Sequence, residues 1–255
     1  MADFQSYILC TSPRSGSTLL CKLLQETGVA GVPDSHFHEP SVSDWLDDYG
    51  VSDQPFVTER DALSAVFDAA MTRGTGKTGI FGLRLQRRSF EFFMQKLNVL
   101  HPGLASDRAR IETTFGRTLF VYLTRRDKLD QAISFVKATQ TGLWHQAPDG
   151  TELERLSVPQ EPVYDADEIA RQIDLAIRLE AEWQAWFAGE AIDPLRITYD
   201  DLSADPYVAV GRILDRLGVD QVVANDRTLP VAKLADATNS AWAARFRAER
   251  GRVDV

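Results

Sequence analysis

Tyr7-Ile8-Leu9-Cys10-Thr11-Ser12-Pro13-Arg14-Ser15-Gly16-Ser17-Thr18-Leu19-Leu20-Cys21-Lys22-Leu23-Leu24 is the stretch on which the reading of this 255-residue chain turns. It runs from a short apolar segment, Tyr7 to Cys10, through a small polar loop, Thr11 to Ser17, into an amphipathic run from Thr18 to Leu24. A strand, a small-residue loop and a helix start in that order build an anion site. The loop N–H groups point inward, and the helix N-terminus adds partial positive charge. Ser15, Ser17 and Thr18 offer hydroxyl donors, Arg14 a forked charged contact, and Gly16 a close backbone approach. The plainer reading is a serine-rich turn with a solvated arginine. The position of the loop, between the first strand and the first helix, weighs against it.

A Walker A loop requires G-x-x-x-x-G-K-[ST]. On that frame Thr11 takes the first glycine, Gly16 the second, Ser17 the lysine and Thr18 the final hydroxyl. The missing lysine is the one that reaches the β- and γ-phosphates. The loop therefore suits a phosphorylated ligand but suits ATP or GTP poorly.

Composition is that of an ordinary globular chain, 44% hydrophobic and 25% charged, with room for a single α/β domain over residues 1–255. A net charge of -9 argues against general nucleic-acid or anionic-membrane binding, so an anionic ligand must be held by locally placed arginines. The two cysteines, Cys10 and Cys21, read as small buried apolar residues rather than a disulfide or metal framework. The N-terminus MADFQSYIL lacks a basic region and a long apolar run, and no later segment has the length of a membrane span. The cytoplasm is the expected compartment.

Gly28 is a good C-cap for the first helix. The loop from Gly28 to Pro40 then gathers Asp34, His36, His38 and Glu39, the residue types of acid–base chemistry. His36 and His38 are spaced to share one side of an extended segment. With four histidines in the whole chain no third ligand cluster exists, so no metal is expected. Glu59 to Thr72 has helical spacing, Ile80 to Leu85 reads as a second strand carrying Arg84, and a helix runs on to Asn98. Thr118 to Leu123 is the clearest buried strand. It leads into Thr124-Arg125-Arg126-Asp127 and a helix over Lys128 to Thr139, with Ser134 about two turns along it. This repeats the logic of the first turn. In an open parallel sheet ligands gather beyond the carboxyl ends of the strands, so both turns should face one crevice. Two separated anion sites suit a ligand with phosphates at both ends. Residues 142–162 read as a lid or interaction loop. Asp165 with Glu168 reads as a capping box opening a long helix. Pro194 to Thr198 is a further strand, ended by Tyr199-Asp200-Asp201-Leu202. Pro206 opens a helix closed by Gly218, and the tail holds Lys233 and a helix from Asn239 to Arg250.

These motifs together carry a resemblance. Thr11-Ser12-Pro13-Arg14-Ser15-Gly16-Ser17-Thr18, Arg125 with Ser134, and Tyr199-Asp200-Asp201-Leu202 before Asp205-Pro206 look like the PAPS-dependent sulfotransferases. Gly28-Val29-Ala30-Gly31, Gln131-Ala132-Ile133-Ser134-Phe135 and Glu182-Trp183-Gln184-Ala185-Trp186-Phe187 resemble the bacterial Stf family, typified by mycobacterial trehalose 2-sulfotransferase. The resemblance covers nearly the whole chain. It implies a P-loop-type α/β fold, a central parallel sheet flanked by helices. It also implies transfer of a sulfuryl group from 3′-phosphoadenosine 5′-phosphosulfate (PAPS) to a hydroxyl of trehalose or another sugar or glycolipid, without a metal. The family's 5′-phosphosulfate loop maps onto Arg14, Ser15, Gly16, Ser17 and Thr18. Its 3′-phosphate site maps onto Arg125 and Ser134, with Arg126 the alternative to Arg125. Homodimers are the family's habit.

One position departs from the pattern. The trehalose enzyme carries its glutamate base two residues after a proline, and here that position, after Pro33, is Ser35. A neutral serine is no base near pH 7, so the role passes to a neighbour, His36 first and Glu39 second. Asp34 would preserve the charge but lies one residue out of register. A P-loop nucleotide kinase and a non-catalytic nucleotide-binding protein of the same fold are the alternatives.

Overall fold

The computed structural model describes residues 3–219, 230–232 and 234–251; Lys233, noted in the tail, lies outside the described residues. Four strands form one parallel sheet: β1 (Ser6–Thr11), β2 (Phe81–Gln86), β3 (Thr118–Thr124) and β6 (Leu195–Thr198), in the order β2-β1-β3-β6. The central strand β1 is buried along its whole length. It pairs Leu9 with Arg84 of β2 on one side and with Val121 of β3 on the other. Buried on both faces, β1 and β3 carry continuous apolar runs, as parallel strands covered by helices must.

Alternate residues of β1 enter different cores. Ile8 and Cys10 join Phe67, Phe81, Phe93, Phe115 and Trp183 under α3 (Glu59–Thr75), α4 (Arg87–Leu100), α5 (Asp107–Phe115) and α7 (Ala166–Gly189). Tyr7 and Leu9 join Leu20, Leu24, Ile213 and Leu217 under α1 (Ser17–Glu26) and α9 (Pro206–Leu217). A third cluster, with Leu129, Ile133, Ile173, Trp242 and Phe246, binds α6 (Lys128–Thr141) to α7 and α10 (Ala237–Arg250).

Local signals account for most helix ends. Ser41 caps α2 (Val42–Asp48), Asp205 caps α9 with Pro206 at its first position, and Gly218 closes α9 in the left-handed region. At α7 the expected capping box is only half built. Asp165 accepts from the Glu168 N–H at 2.9 Å, but the Glu168 carboxylate turns to Arg171 and Gln172 instead. Tyr199 to Leu202 ends β6, as expected, and it does so by starting a short helix, α8 (Tyr199–Ala204), with Thr198 and Asp201 as its capping box. Residues 142–162, expected as loop, contain an antiparallel hairpin of β4 (Leu143–Gln146) and β5 (Glu152–Arg155).

Candidate active site

The carboxyl ends of β1, β2 and β3 open into a cavity of about 850 Å³. The loop after β1 forms its floor and is held from behind. Trp183 Nε1 donates to the Thr11 carbonyl at 2.9 Å, and Gln131 Nε2 donates to Ser12 Oγ at 3.1 Å and to the Pro13 carbonyl at 2.7 Å. Ser15 is fully buried. Its hydroxyl donates to the Ser12 carbonyl at 2.9 Å and meets Thr11 Oγ1, so it stiffens the loop and does not line the cavity. Arg14 adopts φ 62°, a conformation costly for a side-chain-bearing residue and typical of functional loops. The N-terminus of α1 has no side-chain cap and no acidic residue in its first turn. Its first N–H groups and dipole therefore face the cavity without a competing anion.

Gly16, at φ 87°, admits no side chain: a Cβ there would lie 2.6 Å from Tyr199 Cδ2 and 3.4 Å from Leu202 Cδ2. This contact explains the Tyr199-Asp200-Asp201-Leu202 motif. The Tyr199 ring lies against Gly16 and has the Arg125 guanidinium 4.6 Å from its centre. Arg125 is 8% exposed, donates to the Arg14 carbonyl at 3.4 Å and lies 3.5 Å from Asp130. Arg126 points away to Asp201, 4.0 Å off, and does not reach the cavity. Beneath Arg125, the buried Lys128 donates to the Arg125 carbonyl and pairs with Glu180 at 2.5 Å, fixing the start of α6.

Arg14 Nε donates to Ser134 Oγ at 3.0 Å, and its Nη1 donates to the Trp144 carbonyl of β4 at 2.7 Å. The two βα turns thus meet at one wall of the same cavity. Burial and the neighbouring Arg125 push the Arg14 guanidinium down to about 10, still cationic at neutral pH.

The loop from residue 28 to 40 closes the opposite wall. Asp34 bridges to Leu83 of β2, and the Arg84 N–H donates to the Asp34 carbonyl at 2.9 Å. Ser35 lines the cavity, but His36 does not. A turn at residues 36–37 breaks the alternation that would have placed His36 and His38 on one side. His36 is 6% exposed, stacked on Phe81, with Nδ1 2.9 Å from Tyr49 Oη and Nε2 3.2 Å from the Val32 carbonyl. Burial lowers its pKa, so it is a neutral structural imidazole with both nitrogens engaged. His38 and Glu39 do reach the cavity, 3.6 Å apart. The Glu39 carbonyl is anchored by Trp45 Nε1 at 2.6 Å while its carboxylate stays 58% exposed.

Arg84, on β2, is a cation on a buried strand, and no local motif marks it as a site residue. It donates to Thr18 Oγ1 at 2.6 Å and to Ser35 Oγ at 2.7 Å. From the hairpin, His145 Nε2 lies 3.0 Å from Thr18 Oγ1 and 3.3 Å from Glu154. Burial, with Arg14, Arg84 and Lys22, pushes His145 down to about 3, so it is neutral at pH 7. Among the described residues no three His, Cys, Asp or Glu side chains cluster as metal ligands, and no helix is long and apolar enough to cross a membrane.

The family model for Stf0 sulphotransferases matches residues 6–249. Trehalose 2-sulfotransferase from Mycobacterium tuberculosis is 31% identical, with 98% of this chain and 97% of that protein covered. The enzyme of the same name from Mycolicibacterium smegmatis is 29% identical over 97% of this chain and 96% of its own length. A sulfotransferase from Alicyclobacillus acidocaldarius covers 98% of this chain and 96% of its own, a loose likeness at 14% identity and a TM-score of 0.43. With its cradle, its second arginine turn and its tyrosine-bearing motif meeting at one sheet edge, and with the family match running through all three, the chain belongs to the Stf0 sulphotransferase family.

Proposed function

We propose that this protein transfers a sulfuryl group from PAPS to a hydroxyl of a sugar, trehalose or a related carbohydrate. The observation that carries the proposal is the meeting of Arg14, Arg125, Ser134 and the uncapped start of α1 in one cavity. This donor set fits a ligand with anionic groups at two ends. Ser17, Thr18 and the first N–H groups of α1 hold the 5′-phosphosulfate, and Arg125 and Ser134 hold the 3′-phosphate. When bound, PAPS supplies the sulfuryl group and leaves as adenosine 3′,5′-bisphosphate. Ser17 at the Walker lysine position speaks for a ligand other than a nucleoside triphosphate.

Glu39 is the base of this reading. Of the two bases named from the sequence it is the one that lines the cavity. Its carboxylate accepts the acceptor hydroxyl proton, while the anchored carbonyl keeps the loop in place. The sugar acceptor is carried over from the names of the two mycobacterial relatives. The test is release of adenosine 3′,5′-bisphosphate from PAPS with trehalose and a panel of mono- and disaccharides. Sugar-dependent release with a sulfated product by mass spectrometry is expected. Release that no sugar changes would contradict the carbohydrate acceptor.

A further inference from the structure

We infer that Arg84 is a catalytic residue of this site, the cation that contacts the sulfuryl group itself as it passes from donor to acceptor. The inference rests on the sulfotransfer reading above and adds to it a residue that the cradle and the base do not include. Its ground is position. Register pairing sets Arg84 of β2 beside Leu9, one strand over from the cradle. Its guanidinium spans the gap between the two walls, with Nη1 on Thr18 Oγ1 of the anion loop at 2.6 Å and Nε on Ser35 Oγ of the opposite loop at 2.7 Å. Anything moving between those walls passes this group.

Its charge is also available. Both close partners are neutral hydroxyls, and the carboxylate paired with it among the described residues, Asp34, lies 3.5 Å from Nη2 with its side chain 70% exposed. Lys128, by contrast, is sealed against Glu180 at 2.5 Å. The Arg84 side chain is only 17% exposed, so water screens it weakly. A guanidinium that is held from both ends and faces a cavity is preorganised for charge developing on transferring oxygens. In the step, the acceptor oxygen bonds to sulfur, the bond from sulfur to the 5′-phosphate oxygen breaks, and the acceptor proton passes to Glu39. The products are a sulfate ester and adenosine 3′,5′-bisphosphate. Ser35 then serves Arg84 as an orienting hydroxyl rather than acting on the acceptor.

The experiment compares calorimetric titration of PAPS and of adenosine 3′,5′-bisphosphate, which lacks the sulfuryl group, on wild type, Arg84→Met and Arg84→Lys, each with a thermal melt. Arg84→Met is expected to weaken PAPS by about tenfold or more. The bisphosphate should change by less than about threefold, and lysine should restore part of the PAPS affinity. With trehalose or whichever sugar turns over, kcat of Arg84→Met should fall by about 100-fold or more. An equal loss for both nucleotides, or no loss for either, overturns the inference. If Arg84→Met fails to fold, the PAPS-to-bisphosphate ratio in Arg84→Lys decides it. A wild type that binds neither nucleotide instead refutes the proposed function, a result visible before any substitution is made.

Discussion

Gly16→Ala joins fold and site in one perturbation. The residue sits at φ 87°, where a side-chain-bearing residue costs about 1–2 kcal/mol. The added Cβ would fall 2.6 Å from Tyr199 Cδ2 and 3.1 Å from Cε2, atoms of a rigid ring that cannot swing aside as a chain end would. The ring also stacks with Arg125, whose guanidinium lies 4.6 Å from its centre. Overpacking of this kind costs about 1–3 kcal/mol, so the sum is about 2–5 kcal/mol. That is a large share of the 5–15 kcal/mol typical of a folded protein. Gly28→Ala is the control, since Gly28 has φ 70° with nothing within 4 Å of its Cβ and should show the backbone cost alone. Urea denaturation reads the stability of both, and titration with adenosine 3′,5′-bisphosphate reads whether displacing Tyr199 from Arg125 weakens the site. A Gly16→Ala protein no less stable than Gly28→Ala would refute the packing argument.

Other substitutions separate the neighbouring residues. Glu39→Gln should lower kcat by about 100-fold or more while leaving bisphosphate affinity within about twofold, read by transfer kinetics and calorimetry. His36→Ala should do the opposite, costing about 1–3 kcal/mol by removing the imidazole that meets Tyr49 Oη and the Val32 carbonyl and stacks on Phe81, while transfer persists. Arg126→Ala should leave nucleotide affinity unchanged, in contrast to Arg125→Ala. The pH dependence of stability has a defined sign. His145 stays neutral in the fold down to about pH 3, whereas in the unfolded chain it takes a proton below about 6.5. Stability from this residue is complete above pH 6.5 and is lost as pH falls, by up to about 1.4 kcal/mol per pH unit. His145→Gln should flatten the acid side of the denaturation profile by that slope.

The parts of the site that were legible in the sequence are those built by neighbours in the chain. The strand, loop and helix around Arg14, Gly16 and Thr18 are contiguous, and Arg125 and Ser134 lie on one strand-to-helix turn, so local chemistry announced both. What the sequence concealed depends on contacts between distant segments. Tyr199 looked like the end of a strand, and only folding sets its ring on Gly16. His36 looked accessible because the two-residue spacing to His38 presumed an extended loop, which the turn at 36–37 abolishes. Arg84 gains its place from the register of β2 beside β1, which no local pattern encodes. The β4–β5 hairpin carries half-exposed and exposed residues on short strands, without the apolar alternation that marks a strand from sequence. No local signal therefore marks His145 or Glu154. The helix from Asp107 to Phe115 was also passed over, although Ser106 and Asp107 supply a good start signal.

The most direct measurement is calorimetric titration of the wild type, Arg14→Ala and Arg125→Ala with adenosine 3′,5′-bisphosphate at fixed ionic strength. Micromolar binding by the wild type, weakened about tenfold or more by each substitution, is the result the two-ended anion site requires. A wild type that does not bind, or arginine variants that bind as tightly as it does, would contradict the account.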